Sequence, residues 1–202
     1  DVPELQTLRR RGNNKSVIRA ASLAVDVPHV GSVLMISAHL KCCGVAGGPE
    51  DLTRIGEVMA LQQGIQKAAQ IHSFDALVIG GDLNLVGSRL PLELLIERGM
   101  SLISSQEQRD LLIARALQPD GSGTQTWQKR GQAYSPGTLD FILYSPNLIQ
   151  QEAWVLDALD LPENALAAMS LVRTDTSRAS DHLPLIIDLI PNQVDSEEHL
   201  GR

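Results

Sequence analysis

The sequence predicts a single mixed α/β domain in which helices pack over β-sheets. The chain has 202 residues, of which 43% are hydrophobic, and this length and composition suffice for one substantial core. Short apolar, β-branched runs alternate along it with segments whose apolar residues recur at helical spacing. The chain contains no internal repeat, low-complexity segment or obvious linker. Layers of helix on sheet are the packing arrangement expected for such a mixture of elements.

The first half of the chain predicts a β-hairpin, a long helix and a buried strand. Residues 16–27 and 32–40 are the predicted hairpin strands, separated by a turn that contains proline and glycine. Residues 49–72 are predicted to form the helix, which begins with a proline suited to a first turn. The predicted apolar face of this helix consists of Leu52, Ile55, Met59 and Ile65. The short apolar run at residues 76–80 is typical of a buried strand.

The second half of the chain predicts two more helices and several strands. The helices cover residues 89–99, with Gly99 as the terminating residue, and residues 104–117. The predicted strands cover residues 124–127, 138–144, 153–159 and 185–190. One of these strands carries Asp140 within an apolar and aromatic run. Because a buried carboxylate is unfavourable unless it is paired, we expect Asp140 to have a partner.

The overall charge argues against a protein whose whole surface binds nucleic acid. The formal net charge is -7 and the sequence pI is about 5.2. A local basic patch is formed by residues 9–11, all arginine, with Lys15 nearby. No apolar run approaches the roughly 20 residues that a membrane-spanning helix requires. The sequence gives no indication of a protein partner.

The two cysteines, Cys42 and Cys43, are adjacent in the sequence. Sequence neighbours rarely form an unstrained disulfide with each other, and two thiols alone do not make a zinc site. We interpret them as packing or inert thiols.

Polar side chains recur at the ends of the predicted strands. Asp82 and Asn84 follow the strand at residues 76–80, and strand alternation places both on the same side of the backbone. Taken alone, they are also explained as an Asx-type turn. The complete set is His39, Asp82, Asn84, Asp140, Asp181 and His182. If these strand ends share one edge, they form a cleft of carboxylates, imidazoles and a carboxamide.

Such a cleft has the chemistry of phosphate ester hydrolysis. Carboxylate oxygens are the ligands that Mg²⁺ prefers, and a His–Asp pair provides a general base whose tautomer the carboxylate fixes. A metal that neutralises phosphate charge and a base that activates water are together sufficient for the reaction.

Four motifs occur in the order and spacing of a known superfamily. They are residues 37–40 (SAHL), 80–84 (GGDLN), 138–143 (TLDFIL) and 180–184 (SDHLP). With them the chain resembles the endonuclease/exonuclease/phosphatase superfamily, the deoxyribonuclease I-like group, from about residue 16 to residue 190. Thr126-Trp127, ahead of the Asp140 strand, also looks like a pairing common in that group.

The resemblance implies a four-layer α/β sandwich, in which two central mixed β-sheets are flanked by helices. It assigns residues 1–190 to this domain and leaves residues 191–202 as a polar acidic tail. It implies Mg²⁺ or Mn²⁺ as the cofactor and a phosphate ester, possibly nucleic acid, as the substrate. His182 would be the general base, and Asp140 would orient it through a hydrogen bond.

The resemblance also implies roles for the remaining polar residues. Asp181 and Asp82 would serve the metal site. Asp82 and Asn84 would position the nucleophile and the phosphate. His39 would contact the phosphate and help to stabilise or protonate the leaving side.

The chain departs from the family pattern at its beginning. Family members carry an N-terminal strand with an asparagine and then a Gln-Glu pair whose glutamate is a principal metal ligand, and neither occurs here. The only early acidic residues, Asp1 and Glu4, lie in no matching strand, and the chain does not begin with methionine. We therefore expect the chain to contain about the C-terminal two thirds of the domain.

Three functional hypotheses follow from the sequence. The first is a Mg²⁺-dependent phosphodiesterase with nuclease-like activity. The second is a phosphatase or phospholipase C-like enzyme that acts on an inositol phosphate or a sphingolipid headgroup. The third is a catalytically inactive binding domain, which the missing metal-binding glutamate would explain.

Overall fold

A five-stranded sheet forms the centre of the computed structural model, which describes residues 2–6, 18–97, 99–104, 109–129 and 135–192. Its strands are β1 (Arg19–Val27), β2 (Gly31–His39), β3 (Ala76–Asp82), β4 (Leu112–Ile113) and β5 (Asp140–Tyr144). Their spatial order is β1-β2-β3-β5-β4. The pair β2–β3 is parallel and the other pairs are antiparallel. A second sheet consists of β6 (Leu148–Val155) and β7 (Leu185–Pro191), which pair antiparallel.

Helices cover the outer faces of the two sheets. The helices are α1 (Pro3–Gln6), α2 (Pro49–Ala69), α3 (Leu90–Ile96), α4 (Glu163–Met169) and α5 (Asp175–Ala179). Helix α2 connects β2 to its parallel neighbour β3, the crossover that parallel strands require. Short 3₁₀ turns occur at Gly99–Leu102 and Ala158–Asp160.

Three apolar clusters define the order of the layers. The largest one packs α1, α2 and α3 against the first sheet, with Leu34, Leu61 and Leu92 among its members. On the opposite face of that sheet, Val33 and Tyr144 pack against the second sheet. A third cluster packs α4 and the second 3₁₀ turn against the outer face of the second sheet. The predicted helix–sheet–sheet–helix arrangement is confirmed.

The strand predictions are mostly confirmed, with shifts at the ends. The hairpin forms with its turn at His29 and Gly31, whose φ angles are 65° and 97°. The strand predicted at residues 153–159 instead spans β6, and residues 158–160 form a 3₁₀ turn. The strand predicted at residues 124–127 is reduced to isolated β-bridges at Trp127.

Two helix predictions are wrong in part or in full. The helix predicted at residues 89–99 ends at Ile96, and Gly99 begins a 3₁₀ turn instead of terminating the helix. The helix predicted at residues 104–117 is absent from the described part of that range, where Leu112 and Ile113 form β4. These two residues pair with β5, and edge pairing to a sheet overrides a weak helical spacing. Helices α1, α4 and α5 were not predicted.

Helix α2 is confirmed, but its predicted apolar face is wrong. Leu52 and Met59 are 61% and 51% exposed, and only Ile65 of the predicted face is fully buried. The face that packs inward includes three charged residues as well as apolar ones. Its members are Asp51, Arg54, Glu57, Val58, Leu61, Gly64, Ile65 and Ala68. Apolar spacing alone therefore selected the wrong side of the helix.

Several sequence features lie at the margins of the structure. The basic patch at residues 9–11, Lys15 and tail residues 193–202 lie outside the described residues. Cys42 and Cys43 are free thiols in the loop after β2, with their Sγ atoms 2.9 Å apart. Within the described residues, no helix is both long and apolar enough to cross a membrane.

The corrected face of α2 predicts a contrast between two leucines of the same helix. Leu61 is 0% exposed, so Leu61→Ala should lower the free energy of unfolding by about 2–5 kcal/mol. Leu52 is exposed, so Leu52→Ala should change it by less than about 0.5 kcal/mol. Urea denaturation of both variants measures the difference. A larger loss for Leu52→Ala would instead support the sequence-based face.

Candidate active site

The register of the central sheet brings three of the predicted site residues side by side. His39, the last residue of β2, pairs with Asp82 at the end of β3. Asp82 in turn pairs with Asp140, the first residue of β5. Directly paired residues of neighbouring strands project to the same face of a sheet. The three side chains therefore form a row across one edge of the sheet.

His182 joins this row from the segment that precedes β7. Its backbone forms an antiparallel bridge with Trp127, and the amide of the next residue, Leu183, donates to the Thr126 carbonyl at 2.7 Å. The His182 Nδ1 atom lies 2.8 Å from Oδ2 of Asp140, which is the partner expected for that carboxylate. An ionised carboxylate can only accept a hydrogen bond, so Nδ1 donates and Nε2 of the neutral ring keeps its lone pair.

Asp82 lies at the centre of the row. Its Oδ2 atom is 3.5 Å from Nε2 of His39 and 3.9 Å from Nε2 of His182. Its side chain is only 14% exposed, and burial raises the pKa of the Asp82 carboxyl above its usual value. The hydrogen bond from the Asn84 backbone opposes that rise.

Asn84 holds Asp82 in place through one side-chain amide hydrogen and its backbone N–H. The Asn84 Nδ2 atom donates to Asp82 Oδ2 at 2.8 Å and to the Leu40 carbonyl at 3.1 Å. The Asn84 backbone N–H donates to Asp82 Oδ1 at 2.9 Å, which closes an Asx-type turn. A φ of 49° places Asn84 in the left-handed region, which asparagine tolerates better than most residues. Because both amide donors are used, this side chain acts on the site through Asp82.

Gly81 allows β3 to approach β2 at the point where the site begins. Its φ of 136° is accessible only to glycine in practice, and a Cβ there would collide with the Ala38 carbonyl oxygen. The close approach of the two strands depends on this residue.

His39 occupies the more open side of the row. Its side chain is 47% exposed, and it contacts Asp82 from β2, whereas Asp140, the partner of His182, pairs with Asp82 from β5. Burial lowers the pKa of the His39 imidazole, and the nearby Arg19 guanidinium lowers it further. We therefore expect a neutral ring at neutral pH.

Asp181 is not a member of the group of Asp82, Asp140 and His182 that could hold a cation. It is exposed, and its Oδ2 atom accepts a hydrogen bond from the Trp127 indole at 3.2 Å. Its backbone carbonyl accepts from the Gln128 amide at 2.9 Å. These contacts fasten the segment that carries His182 to the residues around Trp127.

Three ligand atoms are close enough together to hold a cation. One atom each from Asp82, Asp140 and His182 lies within 4.8 Å of the other two. The two carboxylates are mostly buried, and a divalent cation between them would offset the desolvation that raises the pKa of Asp82. Carboxylate oxygens are the ligands that Mg²⁺ and Mn²⁺ prefer, so Asp82 and Asp140 fit the cofactor expected from the resemblance, and Nε2 of His182 stays available for proton transfer.

Thr126 supports Asp140, although its sequence context indicates only a Thr-Trp motif ahead of the Asp140 strand. Its hydroxyl oxygen accepts from the backbone N–H groups of Leu139 at 3.0 Å and Asp140 at 2.9 Å, and the residue is 1% exposed. One buried hydroxyl therefore fixes the start of β5, where the His182 partner is located. The only indication of this role in the sequence is the position of Thr126 directly before a tryptophan.

Comparison with known proteins places the chain among phosphoesterase folds. The sequence matches the family model described as Endonuclease/Exonuclease/phosphatase family over residues 10–182. No curated protein matches it.

Solved structures share the fold at low sequence identity. An endonuclease/exonuclease/phosphatase from Bacteroides vulgatus is 15% identical with a TM-score of 0.54, covering 89% of this chain and 57% of that chain. D. rerio TDP2 complexed with single strand DNA product is 12% identical with a TM-score of 0.51, covering 88% and 64%. A humanized D. rerio TDP2 is 10% identical with a TM-score of 0.50, covering 88% and 63%. The chain thus spans less than two thirds of each of these structures.

The role of Thr126 predicts different outcomes for two substitutions. Thr126→Val keeps the shape but leaves two backbone N–H groups without their acceptor, which should lower the free energy of unfolding by about 1–3 kcal/mol. Thr126→Ser retains the hydroxyl and should preserve the Asp140–His182 hydrogen bond. The imidazole Nδ1–H resonance of His182 in NMR spectra reports that bond directly. The same unperturbed resonance in both variants would contradict the supporting role.

Proposed function

Because the chain belongs to the endonuclease/exonuclease/phosphatase family, we propose that it is a Mg²⁺- or Mn²⁺-dependent phosphoesterase that hydrolyses a phosphodiester. The observation that carries this proposal is the convergence of Asp82, Asp140 and His182 within 4.8 Å. It combines cation ligands and a carboxylate-bound imidazole in one place, which is the pairing that metal-assisted hydrolysis requires.

The cation would be held chiefly by Asp82, and the Asp140 carboxylate lies close enough to share it. When bound, the metal would neutralise phosphate charge in the transition state. For Asp181 we propose a supporting role at the rim of the same site, since its carboxylate is exposed beside the Trp127 indole.

His182 is the proposed general base. Because the Nδ1–H group of His182 donates to Asp140, its Nε2 atom can accept the proton of the attacking water. The Asp140 carboxylate then stabilises the imidazolium that results. The 3.9 Å between Nε2 and Asp82 Oδ2 is too long for a direct hydrogen bond. A water that hydrogen-bonds to both atoms would be oriented as the nucleophile by Asp82 and His182 together.

His39 and Asn84 complete the proposed machinery. A neutral His39 ring, which contacts Asp82 from β2, can donate a hydrogen bond to a phosphate oxygen. An in-line displacement needs the nucleophile and the leaving group on opposite sides of phosphorus, so we assign the nucleophile side to His182 and the leaving side to His39. Asn84 orients Asp82 through its amide hydrogens.

A nucleic-acid strand is the first substrate class to test. One matched structure, D. rerio TDP2, is complexed with single strand DNA product, and that match carries the fold only. A phosphatase or phospholipase C-like activity on an inositol phosphate or a sphingolipid headgroup is the alternative. Turnover on single-stranded DNA, RNA, sphingomyelin and inositol phosphates, compared side by side, separates these classes. Metal binding without hydrolysis of any of them would favour the inactive binding domain.

Removal of the proposed base predicts a large loss of turnover. His182→Ala should lower kcat by about 10²–10⁴-fold, the contribution typical of general base catalysis. Asp140→Asn should lower it as well, because an amide cannot stabilise the imidazolium. The matched control is His72→Ala, since His72 is paired with Glu4 at 3.4 Å and is not part of the cluster. Equal hydrolysis of a generic phosphodiester by His182→Ala and the parent protein would remove the proposal.

The environment of Asp82 predicts a pH dependence of metal binding. Its pKa is raised, so protonation of Asp82 stabilises the metal-free fold below that pKa, and this contribution is lost as the pH rises through it. A cation requires the ionised carboxylate, so stabilisation by Mn²⁺ should grow over the same rise in pH. Thermal unfolding with and without Mn²⁺ across a pH series measures this.

Two variants serve as controls for that measurement. Asp82→Asn should abolish most of the Mn²⁺ effect at every pH, whereas Asp188→Asn, an exposed residue of β7, should leave it unchanged. Stabilisation by Mn²⁺ that is independent of pH and of Asp82 would place the cation elsewhere.

A further inference from the structure

We propose that Asp51 and Arg54, on the inward face of α2, are positioning residues. They hold the loop that follows His39 and the loop that follows Asn84 at fixed positions relative to each other. The inference rests on the proposed function, because it assigns to the pair the geometry of that same site. Neither residue belongs to the cluster of site residues, and neither is part of the apolar face predicted for this helix from the sequence.

Arg54 fixes the loop that follows β2. Its guanidinium is fully buried, and Nη1 donates to the backbone carbonyls of Lys41 and Cys43, each at 2.8 Å. One turn further along α2, the Glu57 Oε2 atom accepts from the Lys41 backbone N–H at 2.7 Å. Three backbone groups within four residues of His39 are thus bound by charged side chains of one helix.

Asp51 fixes the loop that follows Asn84. Its Oδ1 atom accepts from the Ser88 backbone N–H at 3.1 Å and from Arg54 Nη2 at 3.1 Å. Its Oδ2 atom accepts from the Gly47 backbone N–H at 2.9 Å. These backbone hydrogen bonds, from Gly47 first and Ser88 next, hold the pKa of the Asp51 carboxyl well below its usual value. The carboxylate is therefore ionised and its bonds persist across the working pH range.

The second loop packs directly on this ion pair. A Cβ added at Gly87 would collide with the Arg54 guanidinium and the Asp51 carboxylate. Glycine at this position therefore permits the contact between the loop backbone and the pair. On the site side, the same two loops are joined by the Asn84 amide, which donates to the Leu40 carbonyl. The two strand ends are consequently fastened to each other at two separate places.

Stability alone is a poor explanation for a buried ion pair. The cost of removing two charges from water commonly offsets their attraction, and apolar side chains of similar volume often serve stability as well or better. What apolar side chains cannot supply is a set of directional bonds to chosen backbone groups. All the bonds described for Arg54 and Asp51 beyond their own contact go to the two loops or to Gly47 just before α2.

Two substitutions test the positioning role while keeping the charges. Arg54→Lys retains the cation but loses the planar fork that reaches two carbonyls and a carboxylate at once. Gly87→Ala keeps both charged residues and places a methyl group against them, which forces the second loop and the pair apart. The matched control is Leu61→Ala, a fully buried position of the same helix whose apolar side chain forms no hydrogen bond to either loop and whose truncation lowers stability.

The readouts are kcat, KM, Mn²⁺ affinity and the NMR ring resonances of His39 in metal-free protein, all at a temperature where each variant is folded. We expect kcat to fall by about 10- to 100-fold in Arg54→Lys and Gly87→Ala, the effect of a displacement near 1 Å, with smaller changes in KM. The His39 resonances should move and Mn²⁺ affinity should weaken in both. Leu61→Ala should change none of these quantities.

The possible outcomes separate this inference from the proposed function. If Arg54→Lys and Gly87→Ala behave like Leu61→Ala in every readout, the residues are structural only and the inference is wrong. If Arg54→Lys does not fold, Gly87→Ala decides the question alone. If the parent protein hydrolyses no phosphate ester, the proposed function fails, and the His39 resonances still decide whether the pair positions the strand ends.

Discussion

The pairing of β3 with two different neighbours is the constraint on which the site depends. Parallel pairing with β2 places His39 beside Asp82, and antiparallel pairing with β5 places Asp140 on the other side. A shift of one residue in either register would turn a side chain to the opposite face of the sheet. Gly81 makes the first pairing possible, since any side chain there would strike the backbone of β2. The row of polar groups therefore depends on the pairing of the strands more than on the conformation of any loop.

In the metal-free fold, this arrangement holds a carboxylate at a position where its ionised form is unfavourable. Burial raises the pKa of Asp82, so the ionised carboxylate is unfavourable in the metal-free fold, and Asp140 lies close by with the same charge when ionised. The Asn84 hydrogen bonds offset part of this cost, and a divalent cation would offset more. A site of this kind gains function by giving up local stability, which is the trade-off found at many active sites.

The sequence predicted the β1–β2 hairpin, helix α2 and strand β3, together with the polar residues at the ends of β2 and β3. Strand alternation and chain order were sufficient to bring His39, Asp82, Asp140 and His182 forward as candidates, and the structure places them together. The inner face of α2 could not be predicted, because its first turns bury Asp51 and Arg54 in bonds to loops that are distant in sequence. Leu112 and Ile113 were assigned to a helix for a similar reason: their strand partner lies in β5, about 30 residues away, and local spacing carries no information about it.

The same limit explains which site residues were recognised and which were not. His39, Asp82, Asp140 and His182 carry reactive groups and stand out by residue type. Nothing in the sequence around Thr126, Asp51 and Arg54 indicates a catalytic role, and in the structure they bind backbone N–H and carbonyl groups. The reactive groups come from four segments spread over more than 140 residues, and catalytic geometry tolerates errors of only about 0.5 Å. Apolar packing is nondirectional, so it does not by itself fix a strand end to that tolerance. Buried polar side chains that bind chosen backbone groups can do so, and these are the residues that a hydrophobic pattern overlooks.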